Sequence, residues 1–201
     1  MARRAFWLMF AMAAVAHGTK VSAAPAEYTI DPAHTTVSFE VKRMGFSHRS
    51  GEFHSVAGTV ALDAATSSGS LEIAVDTRSI RAGSESEERF LRGPSVLDVE
   101  QHSEIAFKAE HVVFAGGKPE RIDGNLTLLG VTRPVSLTVT GYTCPAKAAP
   151  DQPKCVLEAT AVFKRSAFGM TSYLAIISDD VKLSIHGVAG QARGRAPTTG
   201  R

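Results

Sequence analysis

The sequence is poor in cysteine and in aromatic residues, and it contains no long hydrophobic run. Two of its 201 residues are cysteine, and aromatic residues make up 7% of the chain. So few cysteines exclude a scaffold built on several disulfides. The uncharged apolar run at residues 5–16 is shorter than the roughly 20 residues that a membrane-spanning helix needs. The remaining composition is that of an ordinary globular domain.

The central part of the chain also lacks a basic surplus. The formal charge is +2, but residues 1–23 and 193–201 carry basic residues and no acidic ones. Between these two ends, acidic residues outnumber basic ones by four. A nucleic-acid-binding domain carries its positive charge on the folded surface. The distribution therefore argues against a nucleic-acid partner.

The first residues have the pattern of an export signal. Two arginines precede the apolar run at 5–16, and small residues follow at 21–23. This order is typical of a cleaved signal peptide, so we expect residues 1–23 to be removed near Ala23 and the protein to reach the periplasm. An uncleaved anchor is the alternative, but the apolar run is too short for it. We expect one domain at 24–190 and a disordered tail at 191–201.

The two cysteines, Cys144 and Cys155, are predicted to form a disulfide, because export favours oxidation. Metal binding is the alternative, but zinc needs four ligands and no second cysteine pair or histidine lies nearby. The bridge would close a short loop, which contributes about 2–3 kcal/mol to stability. Its spacing differs from the C-x-x-C of redox enzymes, so we interpret it as structural.

Sequence motifs of the common catalytic sites are absent. The chain has no G-x-S-x-G, no phosphate-binding Walker loop and no G-x-G-x-x-G. Its histidines lack the spacing of a metal site. We therefore predict no catalytic residue, no metal site and no required cofactor.

Apolar and polar residues alternate along most of the chain, which indicates strands with one dry face. A helix-like stretch at 84–97 begins with Ser84 or Ser86 as N-cap and is followed by acidic residues. A connection at 165–178 is unusually apolar. The predicted strands are 34–42, 53–63, 70–80, 103–114, 121–129, 133–142, 155–165 and 180–188.

Eight such strands can close into an antiparallel barrel or stack as a sandwich. A barrel of this size is either filled by side chains or holds one ligand. Several inward positions carry small residues, which leave volume and favour a cavity. These positions are Gly58, Ala109, Gly124, Ala159 and Ala161.

The chain resembles the YceI-like, polyisoprenoid-binding family of exported lipocalin-like barrels. The matching segments occur in the family's order over nearly all of residues 28–187. They are YTIDPAH at 28–34, GFS at 45–47, GEF at 51–53, IAF at 105–107, GNLTLLGVT at 124–132 and RSAFGM at 165–170. The resemblance implies an eight-stranded antiparallel barrel whose apolar tunnel takes a polyprenyl lipid or the tail of an isoprenoid quinone.

Arg165 and His34 are candidates for contact with the ligand's head group; the alternative for Arg165 is pairing with a structural aspartate or capping of a turn, and the alternative for His34 is a structural hydrogen bond. We expect transient membrane contact for loading, and a homodimer is compatible with the sequence. The expected tunnel lining comprises the apolar strand residues and three residues near the last crossover. These residues are Val37, Phe39, Val41, Val60, Leu62, Leu71, Ile73, Val75, Phe107, Leu126, Leu128, Leu137, Val139, Phe163, Phe168 and Met170.

The polar residues at the expected mouth depart from the family pattern. Arg43 stands where the family usually has histidine, and EERFL at 87–91 replaces its R-D-x-H-L. We therefore expect an altered or lost head-group preference. The leading hypothesis is an exported protein that sequesters or carries a long isoprenoid. The alternatives are a non-catalytic structural or partner-binding module with a filled barrel, assisting a membrane redox complex, and an enzyme acting on lipid.

Overall fold

The computed structural model describes residues 26–63, 66, 68–145 and 155–191. The predicted signal segment and the predicted tail beyond residue 191 lie outside these ranges. One helix, α1 (Glu85–Arg92), lies between the sixth and seventh of the described strands. The strands are β1 (Ala26–Ile30), β2 (Thr36–Arg43), β3 (Ser47–Phe53), β4 (Val56–Asp63), β5 (Ser68–Asp76), β6 (Ile80–Ala82), β7 (Glu104–Ala115), β8 (Lys118–Leu128), β9 (Val131–Thr143), β10 (Cys155–Lys164) and β11 (Asp180–Gln191).

The strands form a closed antiparallel barrel. Their order is β1–β4–β5–β7–β8–β9–β10–β11, and β11 pairs with β1 to complete a ring of eight. At one end β2 pairs with β11, β3 with β2, and β6 with β3. The predicted barrel is confirmed, and the sandwich alternative was wrong. Closure of the ring leaves its strands without exposed hydrogen-bonding edges.

Three of the long strands of the barrel are bent, so that each appears as two short strands. The breaks lie at 31–35, between β1 and β2, at 54–55, between β3 and β4, and at 77–79, between β5 and β6. The sequence pattern therefore predicted the right number of long strands but missed β1, β3 and β6. In β3 the inward positions beyond Phe53 are Gly51 and Arg49, which pair with Phe39 and Val41. Because Gly51 and Arg49 are not large apolar residues, the inward positions of β3 do not give the apolar alternation that predicts a strand.

Helix α1 starts where the sequence predicted. The Ser84 Oγ accepts a hydrogen bond from the Glu87 backbone N–H at 3.2 Å, which makes Ser84 the N-cap. Three glutamates in the first turn and arginines near the end complement the helix dipole. The helix is shorter than the predicted 84–97, because Gly93 ends it and Pro94 follows.

The small inward residues do not create space as the sequence suggested. None of the five lines the interior cavity, and Ala109, Ala159 and Ala161 are buried. Larger neighbours occupy the room beside the two glycines: the Phe107 ring lies against Gly124, and the Ile73 side chain lies against Gly58. The missing side chain of each glycine thus makes room for a neighbouring side chain, and it does not add to the cavity.

We expect Gly124→Ala to lower the free energy of unfolding by about 1–3 kcal/mol, as overpacking does in tight cores. A Cβ at this position would lie 2.5 Å from Phe107 Cζ and 2.6 Å from the Lys108 carbonyl oxygen. Urea unfolding would measure the change. The matched control is Gly190→Ala, because no atom lies within 4 Å of a Cβ built there. Equal stability of the two variants would contradict the expectation.

Candidate functional site

The barrel encloses an apolar cavity of about 250 Å³. This volume is near the small end of ligand pockets, roughly 300 Å³. The structural alternative required a filled barrel, and this barrel is not filled. The wall of the cavity is formed by the inward residues of the strands: Tyr28, Ile30, Val37, Phe39, Val41, Phe53, Val56, Val60, Leu62, Leu71, Ile73, Val75, Ile105, Phe107, Ile122, Leu126, Leu128, Val135, Leu137, Tyr142, Cys155, Leu157, Phe163, Val181, Leu183, Ile185, Gly187 and Ala189.

The cavity lies closer to one side of the barrel than to the other. Inward residues of β2, β4, β5 and β11, such as Val37, Val60, Ile73 and Ile185, are only partly buried, although they point into the barrel. Many inward residues of β8 and β9, such as Leu137, are buried. The open space therefore lies mainly against the first group of strands.

One end of the barrel is closed by two segments that come from distant parts of the sequence. Helix α1 and the residues after it supply Phe90, Leu91, Ser95, Val96 and Leu97 to the cavity lining. The crossover between β10 and β11, which we call the cover (residues 165–179), supplies Arg165, Met170, Ser172, Tyr173 and Ile177. The two segments meet where the rings of Phe90 and Tyr173 lie 5.5 Å apart.

Arg165 holds the cover together from inside. Its side chain is buried, and its guanidinium donates to four backbone carbonyls: Nε to Ser178 at 3.0 Å, Nη1 to Met170 at 2.9 Å and Ser172 at 2.7 Å, and Nη2 to Ile177 at 3.1 Å. Burial lowers the pKa of this guanidinium. These bonds to the described part of the chain use four of the five N–H donors of the guanidinium.

Asp179 fixes the start of the cover. It accepts hydrogen bonds from the Ser166 backbone N–H at 2.9 Å and the Ser166 hydroxyl at 2.8 Å. The backbone hydrogen bond is the largest cause of the lowered pKa of Asp179, and the nearby charges of Lys164 and Arg165 add to it. The carboxylate therefore stays ionised and also offsets part of the charge of Arg165.

A second concave surface lies outside the cover, and we call it the outer groove. Phe90, Tyr173 and Ile177 line both this groove and the internal cavity. These side chains therefore separate the interior from the surface. The other residues of the groove are Arg43, Arg49, Ser84, Ser86, Glu87 and Ile176.

The structure brings most of the expected tunnel residues to the cavity. All of them line it except Val139, which packs against the core, and Phe168, which is buried with its ring edge-on to Phe163 at 5.2 Å. Arg165 lines the cavity, whereas His34 does not. The His34 side chain is 66% exposed, with Nδ1 2.9 Å from Asp31 Oδ2. This hydrogen bond is the largest cause of the lowered pKa of Asp31.

Sequence reasoning placed Arg43 and residues 87–91 at the expected mouth, but it missed Arg49 and did not assign Phe90 and Leu91 to the cavity wall. Arg43 and Arg49 continue the inward rows of β2 and β3, since Val41 pairs with Arg49 and Arg43 with Ser47. The replacement of an apolar residue by arginine at the end of each row was the available signal. Phe90 and Leu91 gave no such signal, because they lie on a mostly charged helix.

The predicted disulfide between Cys144 and Cys155 is present and joins the ends of β9 and β10. Cys155 and Tyr142 line the cavity at this end. The Tyr28 hydroxyl lies 3.8 Å from Cys144 Sγ. Burial is the largest cause of the raised pKa of Tyr142, which therefore stays neutral under ordinary conditions.

Two further searches gave negative results. Among the described residues, no group of three or more histidine, cysteine, aspartate or glutamate side chains is placed to hold a metal ion. The described residues also contain no helix with the length and apolarity to cross a bilayer.

Comparisons with known proteins agree with this architecture. A UPF0312 protein of Vibrio parahaemolyticus is 31% identical over 127 residues, which are 62% of this chain and 67% of the relative. A UPF0312 protein of Vibrio cholerae is 32% identical over 113 residues, which are 55% of this chain and 60% of the relative. A UPF0312 protein of Pectobacterium atrosepticum is 30% identical over 171 residues, covering 82% of this chain and 86% of the relative.

Solved structures show the same fold. Burkholderia cenocepacia BcnA aligns with a TM-score of 0.65 and 25% identity over 80% of this chain and 99% of that one. A polyisoprenoid binding domain from Saccharophagus degradans aligns with a TM-score of 0.59 and 14% identity, over 82% and 98%. The family model of the YceI-like domain matches residues 28–189. Since this match covers most of the chain, from the first barrel strand to the last, the protein belongs to the YceI-like family.

Proposed function

We propose that this protein is an exported, non-catalytic carrier that binds a long-chain isoprenoid, either a polyprenyl lipid or an isoprenoid quinone. The cavity carries the proposal, because its wall is almost entirely aliphatic and aromatic. An apolar chain gains roughly 0.8 kcal/mol for each methylene that it buries. The polyisoprenoid binding domain among the similar structures supports the same class of ligand.

The proposed orientation places the tail in the cavity and the polar end near the cover. Arg165 offers the interior a positive charge, which suits an oxygen of a quinone or phosphate. His34 is too exposed and lies outside the cavity, so we no longer assign it this role. Arg43 and Arg49 in the outer groove provide further positive charge for a head group that projects outside.

Export to the periplasm is part of the same proposal. The pattern of residues 1–23 supports it, as does the disulfide, since disulfides persist in oxidising compartments. Cleavage near Ala23 would be read directly from the N-terminus of the secreted protein.

Native mass spectrometry of protein released from the periplasm of its own host, followed by solvent extraction, tests this function. We expect a bound mass that yields a polyprenyl compound or a quinone. In a second arm, delipidated protein is offered geranylgeranyl phosphate, menaquinone-4 or palmitate, and we expect uptake of an isoprenoid in preference to palmitate. An apo mass with no isoprenoid uptake would overturn the proposal. Equal uptake of palmitate would overturn its isoprenoid specificity.

A further inference from the structure

Large apolar side chains are exposed in one region of the surface. Seven such side chains are exposed among the described residues, and six of them lie around the outer groove. We call these six the mouth patch: Met44, Phe46, Phe90, Tyr173, Leu174 and Ile176. The seventh, Val162, lies on the outer wall of β10. Exposed apolar residues are ordinary when scattered, but a cluster indicates an interaction surface.

Contacts join the three segments that carry the mouth patch. The Met44 backbone N–H donates to the Ile176 carbonyl at 2.7 Å, and the Phe90 and Tyr173 rings lie 5.5 Å apart. Phe46 is the most exposed of the six, with 81% of its surface exposed. Met44 and Tyr173 have φ values of 51° and 63°, a region that bulky residues rarely adopt. Backbone preference therefore does not account for large apolar residues at these two positions.

The mouth patch lies on the outer side of the residues that separate the cavity from the surface, namely Phe90, Tyr173 and Ile177. Phe90 and Tyr173 belong to the patch and line the cavity as well. An apolar path therefore leads from the exposed patch, past these two rings, into the barrel. Among the described residues that line the cavity behind the Phe90–Tyr173 pair, the buried Arg165 is the only charged one.

Positive charge flanks the patch. Lys42 and Arg43 are exposed at the end of β2, and neither forms an ion pair within the part of the chain that the structure describes. Arg49 Nη1 is 4.0 Å from Glu87, which partly balances its charge, and His48 Nδ1 is 3.9 Å from Glu40. Apolar residues bordered by unpaired basic ones match an anionic lipid surface.

We propose that the mouth patch docks the protein on an anionic phospholipid bilayer, so that the isoprenoid passes between membrane and cavity beside Phe90 and Tyr173. The inference rests on the proposed carrier function and assigns it a loading surface. Phe46 and Met44 enter the interface between head groups and acyl chains, while Lys42 and Arg43 face lipid phosphates. The cavity then opens toward the hydrocarbon and not toward water.

Vesicle flotation tests the docking surface. Full-length mature protein is mixed with vesicles of phosphatidylglycerol or of phosphatidylcholine. We expect binding to the anionic vesicles and a fall of about tenfold in 1 M NaCl, because salt screens the charge attraction. The variant Met44→Asn/Phe46→Ser should lose about tenfold or more of its partition coefficient. Asparagine tolerates the positive φ at 44, and both sites are exposed, so the fold is kept. Val162→Ser is the matched control and should bind as the wild type does.

Absence of wild-type binding to phosphatidylglycerol, or full binding by the double variant, would overturn the docking proposal. A third outcome would also overturn it: the wild type binds no vesicles and is a dimer in sedimentation velocity, whereas the double variant is a monomer. The patch would then join two copies of this chain. Uptake of dispersed geranylgeranyl phosphate separates the two proposals. If the protein takes up this lipid but does not bind vesicles, the carrier proposal stands and the docking proposal fails. If it binds vesicles but does not take up the lipid, the docking proposal stands and the carrier proposal fails.

Discussion

Replacing Val37 by tryptophan is expected to abolish isoprenoid uptake without unfolding the protein. Val37 lies on β2, between Phe53 and Ile185 on the neighbouring strands, and points into the open side of the cavity. An indole there occupies a large part of a cavity of about 250 Å³, so the tail has no room. Because Val37 is only partly buried, the ring can extend into empty space, and the overpacking cost should stay near the low end of about 1–3 kcal/mol.

Titration with geranylgeranyl phosphate measures the effect, and we expect affinity to fall by about a hundredfold. Val162→Trp is the matched control, since it makes the same substitution at an exposed position on the outside of the barrel. Its affinity should equal that of the wild type. If both variants bind normally, the ligand does not occupy the cavity beside Val37. If both lose binding equally, the loss is not due to blocking of the cavity.

Removal of the Arg165 guanidinium is expected to cause the largest loss of stability. Arg165→Met leaves four backbone carbonyls of the cover without their donor, at Met170, Ser172, Ile177 and Ser178. A buried acceptor that loses its donor costs about 1–3 kcal/mol. Part of that cost is recovered if water reaches the carbonyls. We therefore expect a fall of about 3 kcal/mol in the free energy of unfolding, which lowers Tm by roughly 6–12 °C in a domain of this size.

Urea unfolding and hydrogen exchange together test the role of Arg165. In Arg165→Met, amides of the cover should lose protection while those of β8 and β9 keep it. Arg165→Lys keeps the charge but not the planar fork of donors, so it should restore stability only in part. A change below about 1 kcal/mol, with unaltered exchange in the cover, would show that other contacts hold this segment.

Alternation of apolar and polar residues predicted the barrel wall well, because each strand has one face toward the interior. It failed where the inward row stops being apolar. In β3 the inward row passes from Phe53 through Gly51 to Arg49, and β6 contains only three residues. Hydrogen bonds to neighbouring strands hold such segments in the sheet. These bonds join backbone groups, so they produce little recognisable pattern in a single sequence.

The sequence favoured a cavity because of its small inward residues, and these residues do not line the cavity, although most of the expected apolar lining residues do. Small inward side chains such as Gly124 and Ala159 are packed against larger neighbours, whereas the open space lies beside Val37, Val60 and Ile73. Periodicity identifies the inward face but not how far each side chain reaches across the barrel. The side chains that separate the cavity from the surface were less predictable still, because Phe90 on helix α1 and Tyr173 in the cover lie more than 80 residues apart in the sequence.

The hydrogen-bonded ring of eight strands has a kinetic consequence. Within the part of the chain that the structure describes, each strand of the ring is paired on both sides, so a molecule inside would leave through an end of the barrel. At the end that carries the cover, departure needs local opening of this segment, which is a smaller event than unfolding the barrel. Side chains that close this end of the barrel, such as Tyr173, would then set how long the proposed lipid stays bound. Because Tyr173 is 46% exposed, its substitution should alter the rate of lipid release with little effect on the melting temperature, unlike substitution of the buried Arg165.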